Sequence, residues 1–130
     1  MNLKIILMIC LLLAVTGCQQ KDTYDYLMLH PKELKKEFVN CQTLQSAKCE
    51  MVMRAADDFS SLLEDENNDP EAVGQKIIQT QQQLDLLLKN YEQAKQSGDK
   101  DKIQLADNEY QNQVKKLNIL YAVVATRSPE

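Results

Sequence analysis

Apolar positions change their spacing along this chain. Ile5 to Val15 form an unbroken run of eleven apolar residues. Further on the pattern becomes helical. Leu34 and Phe38 fall four apart, and Val52, Ala56, Phe59 and Leu63 recur at intervals of four, three and four, which places them on one helical stripe. From Val73 the alternation of four and three persists through Ile77, Thr80, Leu84, Leu87, Tyr91 and Ala94, a seven-residue repeat over about three heptads. Ile103, Ala106, Tyr110, Gln113, Leu117, Leu120 and Val124 repeat it, with Gln113 as a polar interruption.

The punctuation between these stripes sets the element boundaries. Pro31 suits the first position of a helix, with Glu33 near its positive end. This predicts a short helix from Pro31 to about Asn40, with His30 at the capping position. A second helix is expected from about Lys48 to Glu64, and "EDENNDP" reads as a turn. Asp69-Pro70-Glu71 is a strong helix start, and Gly98-Asp99 supplies a left-handed stop followed by a new cap. Two long helices, from Pro70 to about Gln96 and from Lys100 to about Thr126, should therefore fold back as an antiparallel hairpin. The expected fold is all-α: a short disulfide-linked helical head plus the hairpin, with the second helix packing on the hairpin as a three-helix bundle. The tail "RSPE" is expected to fray.

The N-terminal run has the length of a signal peptide, below the roughly 20 residues of a membrane span. Lys4 precedes it, and Val15-Thr16-Gly17-Cys18 follows. An aliphatic residue, two small residues and a cysteine match the bacterial lipobox, in which the thiol is acylated and the chain is cut before it. Residues 1–17 then form a cleaved signal, Cys18 is the lipidation site, 18–25 a tether, 26–66 the head and 70–127 the hairpin. The body would face the periplasm, held to a membrane of the bacterial cell envelope by its lipid anchor.

Composition narrows the chemistry. With two Phe, three Gly and no Trp, the chain is poor in strand formers, and its net charge of −4 lacks the basic stripe that nucleic-acid binding wants. Cys10 leaves with the signal, and Cys41 and Cys49 remain as an even pair in an exported chain, for which a disulfide is expected. A zinc site, the alternative, wants four ligands and finds these two thiols and a single histidine. No serine elbow, phosphate loop or metal triad is present, and the carboxylates Glu64, Asp65 and Glu66 sit in polar sequence. Neither an enzyme, a cofactor nor a small-molecule substrate is expected.

The segment "YDYLMLHPKELKKEFVNCQTLQSAKC", behind a lipobox and a short spacer, resembles the EexN-type entry exclusion lipoproteins. The resemblance covers about residues 1–56 and rests on Val15 to Cys18, Tyr26, His30, Pro31, Cys41 and Cys49. It implies an envelope lipoprotein of a recipient cell that blocks redundant conjugal transfer by binding a component of a conjugation or type IV secretion apparatus. It also implies partner contacts at Tyr26, His30 and Pro31. The chain departs from the family in its short cysteine loop, in "EMVMRAADD" after Cys49, and in the long hairpin. A scaffolding lipoprotein acting through its coiled coil is the other reading.

Overall fold

The computed structural model describes residues 23–43 and 45–127. The signal run, Cys18 and the "SPE" terminus lie outside them. Five helices follow one another: α1 (Tyr24–Leu29), α2 (Pro31–Cys41), α3 (Ala47–Asn68), α4 (Pro70–Ser97) and α5 (Lys100–Arg127), with no strand among the described residues. The fold is all-α, with a long helical hairpin and a Cys41–Cys49 disulfide.

Short polar side chains start the helices by accepting backbone N–H groups that have no partner within the helix. Thr23 Oγ1 accepts from Tyr26 N–H at 3.2 Å and Ser46 Oγ from Cys49 N–H at 3.2 Å. Asp69 Oδ1 accepts from Ala72 N–H at 2.9 Å, and Asp99 Oδ1 takes the N–H groups of Asp101 and Lys102. Gly98 ends α4 at φ +69°, in the left-handed region where a Cβ is strained.

Two boundaries differ from the sequence expectation. "EDENN" is helical: α3 continues to Asn68, and the break shrinks to Asp69, whose backbone (φ −147°, ψ 77°) lies outside the helical region that a following proline disfavours. Residues 24–29, read as the end of a tether and an aromatic segment, form helix α1. Six residues are too few to display a periodicity.

Directions follow from the contacts. Pro31 and Leu34 border one groove with Phe59 and Leu63, and Cys41 meets Cys49, so α2 and α3 run antiparallel. Asp25 pairs with Lys115, whereas His30 lies near Ala125 and Thr126, so α1 runs the same way as α5. α1 packs on α2, α3 and α5 at once. Its Leu27 and Met28 are buried with Leu34, Val52, Ala55, Phe59 and Val123 in one core. At about 1.5–3 kcal/mol per large apolar side chain, this cluster holds the head together and ties Val123 of the hairpin into it.

The stripes shift by single positions. Ala55 is fully buried where Ala56 is half-buried, and Val123 is fully buried beside the expected Val124. α3 packs on the base of the hairpin through α4 and α5. Above that base, among the described residues, α4 and α5 face each other alone, and Ile77, Leu84, Leu87, Tyr91 and Ile103 are only half-buried.

Candidate functional site

Of the residues singled out from the sequence, Cys18 lies outside the described residues. Cys41 and Cys49 form a disulfide with Cα atoms 5.4 Å apart. Cys49 sits in the first turn of α3 and Cys41 is the last residue of α2, so the bond ties two helix ends together. A Lys48–Glu37 ion pair at 3.1 Å spans the same junction. An open groove of about 1200 Å³ runs beside it, lined by Gln45, Glu50, Met53, Arg54, Asp57 and Asp58 among others.

Tyr26, His30 and Pro31 come together at the opposite end of α2. Pro31 fixes the start of α2 and turns the chain out of α1. His30 occupies the capping position, but its side chain makes no capping bond. Its ring stacks on Tyr26, with centroids 3.9 Å apart and planes at 18°. Nδ1 lies 2.7 Å from the Tyr26 carbonyl oxygen. A carbonyl only accepts, so Nδ1 donates in this contact. The imidazole is exposed on one wall of a groove of about 740 Å³, whose far wall is Ala122, Ala125 and Thr126 of α5. This arrangement offers one flat aromatic pair, an exposed imidazole and small side chains opposite, which suits contact with another polypeptide.

Three polar links missing from the sequence reading hold this corner to the rest. The Tyr24 hydroxyl donates to Asp58 Oδ2, and Arg54 lies over the Tyr24 ring at 5.3 Å. Burial, with the Asp58 carboxylate adding to it, pushes the Tyr24 phenol up to about 12. Asp25 pairs with Lys115 at 3.0 Å. Arg127 donates to Glu66 Oε1 at 3.0 Å and to the Glu66 carbonyl oxygen at 3.2 Å. Glu66 is buried, and its Oε2 has no hydrogen-bond partner. These partners stand 34 to 90 residues apart in sequence, and no local pattern announces them.

Among the described residues no group of three or more His, Cys, Asp or Glu could hold a metal ion, and no helix is long and apolar enough to cross a membrane. No protein-family model matches the chain, and no curated protein or solved structure matches it either.

Proposed function

We propose that this chain is an envelope lipoprotein of entry-exclusion type, anchored through acylated Cys18 and acting by protein contact. The observation that carries this reading is the order of features in residues 1–56: lipobox, short spacer, His-Pro corner, and two cysteines joining consecutive helices. The Tyr26–His30 stack supports it, because the exposed His30 ring, half-buried Tyr26 and Pro31 line one open groove. The target is a component of the donor's transfer apparatus.

A mating assay tests the reading. Recipient cells producing the protein should receive a conjugative element less often than cells without it. His30→Ala and Tyr26→Ala should restore transfer while leaving protein levels unchanged. Unaltered transfer into cells that hold the wild-type protein in their envelope, across the donor systems of its host, would exclude the activity.

One observation favours the scaffolding reading. The heptad repeat continues to the hairpin tip, where only two helices meet. Removing one heptad from each helix next to the turn, residues 88–94 and 103–109, keeps the repeat in phase. Exclusion through the His30 corner should survive this shortening; scaffolding through the hairpin should not.

A further inference from the structure

The way the chain enters α1 fixes what can lie over the bare part of the hairpin. α1 runs parallel to α5, with Asp25 at Lys115 and His30 near Thr126. The described chain therefore begins, at Thr23, on the end of α1 that faces the hairpin tip. Five residue steps separate Cys18 from Thr23, a reach of at most about 18 Å. Lipid chains on Cys18 would then enter their bilayer within that distance of the middle of the hairpin, on the side that α1 occupies.

That side has a definite surface. Lys76 and Thr80 of α4 and Lys116, Ile119 and Leu120 of α5 line a groove of about 530 Å³ against Tyr24 and Met28. Stepping up the same helix lines by whole turns leads from Thr80 to Leu87, about two turns on, and from Lys116 back to Leu105, about three turns on. Leu87 is half-buried and Leu105 is 61 % exposed, the highest value among the large apolar side chains that stand out to solvent. Lys76 and Lys116 lie below them on this face together with Asp58 of α3, and Glu109 and Asp101 are its further acids. The opposite flank is marked by the Gln81–Tyr121 hydrogen bond and by Leu88, about two turns beyond Gln81.

Resting on the lipid-anchor reading above, we propose that a phospholipid surface covers the α1-side face of the distal hairpin. The protein then lies along its membrane, with Leu105 in the headgroup region, rather than standing off as a rod. An apolar side chain on an amphipathic face gains by entering the interface, and a short tether removes most of the entropic cost of bringing it there.

The chain has no tryptophan, so one introduced residue gives a unique signal. Acylated full-length mature protein carrying Leu105→Trp or Leu88→Trp is reconstituted on phosphatidylethanolamine–phosphatidylglycerol vesicles, with and without brominated acyl chains. Acyl mass and flotation with the vesicles are verified first; their absence sinks the anchor reading and this inference together. With the anchor present, the Leu105→Trp probe should emit at shorter wavelength and lose intensity to brominated lipid, while the Leu88→Trp probe does neither. Equal, unquenched emission from both probes overturns the lipid contact and leaves the anchor standing. A blue shift at the Leu105 position without bromine quenching overturns it too, and assigns the face to a second copy of the chain.

Discussion

At the scale of single residues, Glu66 shows how a polar stretch becomes part of the interior. It stands in "EDENN", a sequence with every appearance of a solvated turn, yet only 7 % of its side chain is exposed. Arg127, from the far end of the chain, turns that carboxylate into a link between the ends of α3 and α5. Removing one partner of such a pair leaves a buried charge unsatisfied, whereas removing both does not. Arg127→Ala should therefore lower stability by about 1–3 kcal/mol in urea unfolding, the lower part of the buried-pair range because the guanidinium is partly exposed. The double variant Glu66→Leu with Arg127→Ala should recover part of that loss. A double variant less stable than Arg127→Ala alone would contradict this account of the pair.

Tyr24 makes a second prediction at this scale. Its phenol is raised from 10.0 to about 12 in the folded chain, first by burial and then by the bond to Asp58. A raised folded value means that the unfolded chain releases its proton earlier. The stabilisation is fully present below pH 10 and is lost as pH rises towards about 12. Unfolding measured across this window should show stability falling with pH, and Tyr24→Phe should remove that part of the fall. An identical alkaline slope in the variant would show that Tyr24 does not report on the α1–α3 contact.

At the scale of elements, the hairpin and the start of α2 were legible because each carries redundant signals. Pro70 to Ser97 has a cap, a proline, a heptad repeat and a glycine stop. α1 was not legible: its six residues show no repeat, and it is helical because α2, α3 and α5 together bury Leu27 and Met28. The end of α3 was misplaced for a related reason, since the contact that draws Glu66 inward comes from residue 127. The disulfide expected of the even cysteine pair is present, and it joins the end of α2 to the start of α3. Closing so short a loop contributes about 2–3 kcal/mol in the chain-entropy model. Cys41→Ser with Cys49→Ser should lose about that much. Hydrogen exchange should show α2 opening first while the α4–α5 pair keeps its protection. Uniform loss of protection along the chain would mean that the bond stabilises the whole fold rather than one junction.

At the scale of the whole molecule, head and hairpin share one interior. Val123 of α5 is buried among residues of α1, α2 and α3, so a chain cut at residue 70 would expose the core of its own head. The surface at Tyr26 and His30 likewise takes one wall from α1–α2 and the other from α5. The hairpin is thus both a projecting arm and the support of the corner proposed to meet a partner. The candidate surface was only half visible in the sequence. Tyr26, His30 and Pro31 lie within six residues of one another, but nothing near them names Ala122, Ala125 or Thr126 as the facing wall.

The proposed function holds the body to a membrane through a single bond at Cys18. The most direct measurement is the intact mass and N-terminal residue of the protein recovered from the membrane fraction of its host. The account predicts a chain that begins at Cys18, carries the added mass of its acyl groups, and leaves the membrane fraction in the Cys18→Ser variant. A membrane-bound chain that retains residues 1–17, or one that begins at Cys18 without acyl mass, would contradict it.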